Sequence, residues 1–219
     1  MRPEALNERV APQTAPLFNC PTALRLSRNS IQTAPISVMA RTFDPATLTA
    51  LDAVEPGHLP RLRLVGKIEH LRKALDRGLA EIAFGPKWLA NWLSDDVIFL
   101  ARLFQELTKT QRLRLRLEAV EDDACRRFHT DKVSFRLVTT YRGPGTEWIP
   151  SSVVAAFPPG AALLTESICH LDRGDVAIIR GSRGATSDRP GLLHRSPPIA
   201  GTGITRLFLA VDDGADLEA

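Results

Sequence analysis

His129, Thr130 and Asp131, followed far downstream by His194, are residue types whose spacing can hold a metal ion. On an extended strand, side chains i and i+2 leave the same face. His129 and Asp131 can therefore reach one ion, with His194 arriving from a distant strand. Two imidazoles and one carboxylate on one face of an octahedron leave three positions open, a ligand set that suits Fe(II). Cys125, four residues before His129, would face the same side of a regular strand, as a fourth ligand or as a small buried residue. An HxD triplet alone is common, and a lone histidine after a glycine-containing loop is more often a turn or core residue. Order and strand context give the pattern its weight.

Those residues need elements to position them. Phe43-Asp44-Pro45 reads as a helix start, with Asp44 as N-cap and Pro45 at the first helical position. Residues 67–80 carry Ile68, Leu71, Leu75 and Leu79 at helical spacing, and 87–108 carry a wide stripe of Leu89, Leu93, Val97, Leu100, Ala101, Phe104 and Leu107. The period changes after Thr110. Leu113, Leu115 and Leu117 alternate with Arg112, Arg114 and Arg116, which predicts a strand with one polar face. Candidate strands follow at 125–131, 134–141, 153–157, 161–164, 175–180, 192–195 and 204–212, divided by glycine- and proline-containing turns.

Many short strands at this spacing predict a sandwich or barrel, and a jelly roll fits the count. The expected fold class is α+β: a helical N-terminal half packed on a C-terminal double-stranded β-helix of cupin-like kind. Residues 1–40, rich in Pro, Ser, Thr, Asn and Gln, read as a loosely ordered arm. Residues 41–110 read as a helical region and 111–219 as the jelly-roll metal-binding core, with 41–219 as one structural unit.

Composition narrows the function classes. Of 219 residues 44% are apolar and 24% charged, with a net charge of +3, which is ordinary for a soluble globular protein. The arginines are scattered without a basic run, which argues against a nucleic-acid interface. No apolar run reaches the length that crosses a bilayer, and Pro3, Glu4, Asn7, Glu8 and Arg9 interrupt any signal-peptide core. Cys20, Cys125 and Cys169 include no CxxC pair. An odd set of this kind suits a reducing compartment, so a cytoplasmic location is expected.

Five landmarks follow one another in the C-terminal half: Phe128-His129-Thr130-Asp131, the strand from Arg136 to Tyr141, Gly174-Asp175 entering an apolar strand, His194 after a glycine-containing loop, and Arg206, twelve residues beyond it. This order resembles the Fe(II)- and 2-oxoglutarate-dependent oxygenases, particularly those of the prolyl-hydroxylase kind, over about residues 125–212. Read more narrowly, Cys125 to Asp131 together with Tyr141-Arg142-Gly143-Pro144-Gly145-Thr146-Glu147-Trp148 resembles an uncharacterised bacterial family, domain of unknown function 1826. Its members are often encoded near CobW-type metal-chaperone GTPases.

The oxygenase resemblance implies Fe(II) on His129, Asp131 and His194, with zinc as an alternative occupant. It implies 2-oxoglutarate as co-substrate, its far carboxylate on Arg206, whose planar fork pairs bidentately with such groups. Tyr141 stands where hydroxylases place a tyrosine that hydrogen-bonds the co-substrate, although this chain continues Tyr141-Arg142-Gly143 where they read Tyr-Leu-Asn. Arg136 offers a second anion contact or caps a polar strand face. Glu147-Trp148 reads as a pocket rim or a hairpin pair. His58, His70 and His170 have no expected metal role, and Trp88 and Trp92 read as core or interface.

The first reading is thus a hydroxylase-type dioxygenase acting on an unknown substrate. A second is a non-catalytic metal-binding protein of the same fold, serving zinc homeostasis beside a CobW-type GTPase. A third is a cupin-like metalloenzyme that does not use 2-oxoglutarate, for which Arg206 would have no task.

Overall fold

The computed structural model describes residues 23–122, 125–156 and 167–217. Within them the architecture is mixed: helices lie on one side of a mainly antiparallel sheet, giving an α+β class.

Helix α2 (Pro45–Ala53) begins as its sequence predicts. Asp44 accepts a hydrogen bond from the Thr47 amide at 2.9 Å, and Pro45 occupies the first turn, where no amide donor is needed. Helices α3 (Ile68–Glu81) and α4 (Lys87–Thr108) each bury the apolar stripe read from their periodicity. Leu75, Leu89, Leu93, Val97, Leu100 and Ala101 are sealed from solvent. Lys109, in the left-handed region at φ 64°, ends α4 and turns the chain into the sheet.

The stretch 24–39, expected within a loose arm, instead forms β1 (Leu24–Arg25), α1 (Arg28–Thr33) and β2 (Ile36–Met39). Ser27 and Ser30 cap α1 reciprocally, and β2 pairs antiparallel with β8 (Val176–Arg180). Ile31 and Ile36 are buried, and that burial is what anchors a segment whose composition is otherwise polar. Residues 1–22 of the expected arm lie outside the described residues. A further strand, β3 (Arg61–Gly66), runs through the region read as helical.

The remaining strands are β4 (Leu113–Val120), β5 (Phe135–Arg142), β6 (Glu147–Ile149), β7 (Cys169–His170), β9 (Leu193–Arg195) and β10 (Arg206–Asp213). They form a seven-stranded sheet in the order β1-β2-β8-β5-β10-β4-β3 and a three-stranded sheet in the order β7-β6-β9. Two expected strands are corrected. Residues 125–131 hold only an isolated bridge at His129. Residues 151–156 form the short helix α5 (Ser151–Ala156), whose first amide donors, at Val153 and Val154, turn back to the carbonyl of Pro150. The expected strand 161–164 lies outside the described residues.

Alternation along the large sheet sorts its two faces. Leu113, Leu115, Leu117, Leu137, Tyr141, Val176, Ile178, Leu207, Leu209 and Val211 join α2, α3 and α4 in one apolar cluster that also takes in Ile31. The opposite face turns toward the small sheet. There Ile36, Val138, Ala177 and Ile179 pack against Trp148, Cys169 and Leu192. Beyond that second cluster the same face carries Arg114, Arg116, Glu118, Arg136, Thr140, Arg206 and Asp212, several of them around a cavity of about 230 Å³.

Candidate metal centre

Backbone pairing brings the two histidines together. His129 and His194 exchange two hydrogen bonds of 3.0 Å, amide to carbonyl in each direction, which makes them an antiparallel pair joining the stretch before β5 to β9. Their rings lie 4.7 Å apart between centroids. Asp131 is fixed from the other side, its carbonyl accepting from the Ser182 amide at 2.7 Å and the Ser182 hydroxyl at 3.1 Å. This close approach requires Gly181: a Cβ there would stand 2.1 Å from the Val133 carbonyl oxygen and 2.7 Å from that of Asp131.

The ligand atoms converge. One atom from each of His129, Asp131 and His194 lies within 4.8 Å of the others. Nε2 of His129 stands 3.5 Å from Asp131 Oδ1, and Nε2 of His194 stands 3.1 Å from Asp131 Oδ2. Both Nδ1 atoms face a backbone carbonyl two residues earlier, Arg127 at 2.9 Å and Leu192 at 3.1 Å. A carbonyl only accepts, so this network assigns the ring proton to Nδ1 in each histidine. Nε2 of a neutral ring then presents its lone pair, and both lone pairs face carboxylate oxygens.

Such an arrangement calls for a cation between the groups, either protons on the rings or one metal ion. Asp131 Oδ2 is buried without a hydrogen bond, although Arg136 Nη1 stands 2.5 Å and His194 Nε2 3.1 Å away, off hydrogen-bond geometry. The donor set and its backbone-held rings fit a divalent first-row metal, for which this kind of outer hydrogen bond orients the ligating histidine. Burial alone would raise the Asp131 carboxyl. The adjoining imidazoles of His129 and His194, when they carry a second proton, and the charge of Arg136 outweigh it and hold the group well below the usual carboxylate range. His129 is shifted upward, chiefly by Asp131.

Arg206 lines the same cavity and is 1% exposed. Its Nε donates to the Pro144 carbonyl at 2.8 Å, and Nη2 donates to the hydroxyls of Thr140 at 2.9 Å and Thr146 at 3.0 Å. The Phe208 ring lies 4.6 Å beneath the guanidinium. No carboxylate among the described residues pairs with it. Burial lowers its pKa to about 10, which still leaves it charged at neutral pH. A buried cation held by neutral oxygens is aimed and unneutralised, which is costly unless an anion joins it.

Of the other expected co-substrate contacts, Tyr141 stands elsewhere and Arg136 is already paired. Tyr141 lies on the helix side of β5, fully buried, stacked on Phe43 at 5.8 Å, with its hydroxyl donating to Asp96 at 2.6 Å. The physical reason is parity: Arg136, Val138 and Thr140 point to the cavity, and Tyr141 alternates away from them. Arg136 does reach the cavity wall but is already bound. Besides Asp131 it holds Asp212 Oδ2 through Nε and Nη2 at 2.8 and 2.7 Å, and Asp212 is backed by Arg114 at 2.5 and 2.9 Å. Arg136 therefore supports a ligand instead of binding an anion.

Cys125 lines the cavity but is exposed, so neither a buried packing residue nor a member of the converging ligand group is seen there. Glu147 is buried and paired with Arg195 at 2.6 Å. Thr140, Thr146, Arg116 and Asp212 were not singled out from the sequence. The strand alternation that places Arg136 also places Thr140, and that signal alone could have found one of them.

Among solved structures, the chain is similar to a dioxygenase for auxin oxidation from rice, at 11% identity and a TM-score of 0.47 over 84% of this chain and 75% of that one. It is also similar to dioxygenase for auxin oxidation 1 from Arabidopsis thaliana, in its 2-oxoglutarate complex, at 10% identity and 0.49 over 84% and 85%. A prolyl-4-hydroxylase from Pseudomonas putida gives 12% identity and 0.42 over 85% and 90%. Likenesses at this distance decide nothing about activity. No curated protein matches the sequence. Residues 22–212, which include the converging ligands, Arg206 and both sheets, match the family described as "Protein of unknown function (DUF1826)", and the chain belongs to that family.

Proposed function

We propose that this protein is a non-haem Fe(II)- and 2-oxoglutarate-dependent oxygenase of the hydroxylase type. The observation that carries the reading is Arg206: a fully buried guanidinium, unpaired with any described carboxylate, on the wall of the cavity that also holds His129, Asp131 and His194. A metal store has no use for such a cation, and neither has a metalloenzyme without an anionic co-substrate. The order of motifs along the chain supports the same reading, as does an architecture that we take to be a double-stranded β-helix.

Each residue then has a task. His129, Asp131 and His194 would hold the ion on one side and leave the cavity side open. Arg206, its fork fixed by Thr140, Thr146 and Pro144, would take the far carboxylate of the diacid and so set how its 2-oxo end is presented. Arg136 keeps Asp131 ionised and aimed, with Asp212 and Arg114 behind it. Val138 and Phe208 line the wall and exclude water. When bound, Fe(II) supplies the redox chemistry that couples O2 and 2-oxo acid decarboxylation to oxidation of a substrate C–H bond.

The deciding experiment supplies the full-length protein with Fe(II), ascorbate and 2-oxoglutarate and measures succinate. Slow turnover without substrate is expected, with Arg206→Gln losing it while still binding metal. Metal binding with no 2-oxoglutarate binding by calorimetry would sink the proposal. A cytoplasmic location, expected from cysteine spacing but opposed by the disulfide bond of Cys169, and metal delivery by a CobW-type GTPase, which rests on family association, are parts of the same proposal. Failure of the two proteins to associate in a metal-loaded mixture would remove the second.

A further inference from the structure

The cavity has a second unneutralised cation. Arg116 projects from β4 onto the same face as Arg206 and lines the same cavity. Its neighbours across the sheet are Arg63 on β3 and Ala210 on β10. Like charges directly opposite each other on adjacent strands repel, so the Arg63–Arg116 pair is unfavourable without an anion. Arg63 finds one, ion-pairing with Glu118 from the exposed rim. Arg114 and Arg136 on the same face share Asp212. Arg116 has no hydrogen bond or ion pair with a described residue, and its Nε is buried without a partner. Burial, followed by repulsion from Arg136, lowers its pKa; Asp212 and Glu118 oppose that shift from a distance without forming an ion pair with it.

Resting on the oxygenase reading for the role of Arg206, we infer that Arg116 seats an anionic group of the substrate itself. The substrate class is a small molecule bearing a carboxylate or a phosphate, bound beside 2-oxoglutarate in one cavity. The division follows from partners. Arg206 is held by four neutral oxygens, those of Pro144, Thr140, Thr146 and Ser196, a fixed fork that suits an invariant co-substrate. Arg116 is held by none and stands toward Arg63 at the rim, where a substrate enters. A neutral substrate would leave the half-buried Arg116, with its sealed Nε, without a partner, which is the costlier arrangement.

The test uses full-length protein loaded with Mn(II), which binds such ligands without turnover, and saturated with 2-oxoglutarate. Calorimetry then follows the addition of malonate, malate or citrate in one arm and of inorganic phosphate, glycerol 3-phosphate or ribose 5-phosphate in the other, with glycerol as the neutral control. At least one anion is expected to bind to the saturated protein, and the arm in which it binds distinguishes carboxylate from phosphate. Arg116→Gln should weaken that binding roughly 10- to 100-fold, the worth of a charge-assisted hydrogen bond, and Arg116→Lys should recover part of it. Absence of binding by every anion, or binding that Arg116→Gln leaves unchanged, overturns the inference. Should 2-oxoglutarate itself fail to bind while an anion binds through Arg116, the oxygenase reading falls and the anion seat stands.

Discussion

On β10, Leu207, Leu209 and Val211 face the helices while Arg206, Phe208, Ala210 and Asp212 lie on the opposite face, where Arg206 and Phe208 line the cavity. On β4 the same division separates Leu113, Leu115 and Leu117 from Arg114, Arg116 and Glu118. One face is apolar throughout the cluster with α2, α3 and α4, and its stability comes from area removed from water. The other spends its positions on charges that are paired in a chain from Asp131 through Arg136 and Asp212 to Arg114, with Arg116 and Arg206 left over. The comparison teaches that the helix layer carries the fold, so that the opposite face is free to hold groups that are poor for stability and useful for binding.

The largest test moves one face's chemistry onto the other. Leu115→Arg places a cation in the sealed apolar layer and is expected to cost more than about 4 kcal/mol, seen as loss of a cooperative urea transition. An ordinary transition for that variant would show that the two faces are not divided as described. Next comes Arg136→Gln, which removes the partner of Asp131 and Asp212. Metal affinity should fall about 10- to 100-fold in a calorimetric titration, as for other residues that orient a ligand from behind. An unchanged affinity would make Arg136 a purely structural residue.

A smaller effect is expected from Tyr141→Phe. The lost hydrogen bond to Asp96 should cost about 1 kcal/mol in thermal unfolding, and 2-oxoglutarate affinity should not change, because the hydroxyl points away from the cavity. Weakened co-substrate binding would return Tyr141 to the site.

The smallest effect concerns pH in the metal-free protein. His129 is raised in the folded state, so its contribution is full below the unfolded histidine value of about 6.5 and is lost as pH rises through the folded value. Asp131 is lowered, so its contribution is present above about 4 and is lost as pH falls toward its folded value. Melting temperature should therefore peak between roughly pH 4 and 6.5 without metal. Adding a divalent ion should remove the decline on the alkaline side, since the ion replaces the proton between Nε2 and the carboxylate. A decline that persists with metal bound would argue against coordination at these atoms.

Much of this was legible from residue order. The stripes of α3 and α4, the Asp44 cap, the alternation of β4, β5 and β10, and the candidate ligands His129, Asp131 and His194 all rest on local periodicity or on residue types whose chemistry is distinctive. Arg206 was legible because an arginine alternating with apolar residues on a strand must meet something polar. Tyr141 was misplaced although its parity was readable: Arg136 and Tyr141 are an odd number of residues apart and leave a regular strand on opposite faces. β3 was also readable, since Arg61, Leu62, Arg63 and Leu64 alternate as β4 does.

By itself the sequence determined which segments alternate, which coil, and which few side chains are able to bind a metal or a carboxylate, because these follow from local geometry and from the chemistry of single residues. Only the tertiary structure decided the remainder. It drew residues 24–39 into the sheet, set His129 against His194 through two backbone hydrogen bonds, gave Arg136 two carboxylates, and left Arg116 with none. Whether a charge is neutralised depends on neighbours brought close by long-range strand pairing, and no local pattern records who those neighbours are.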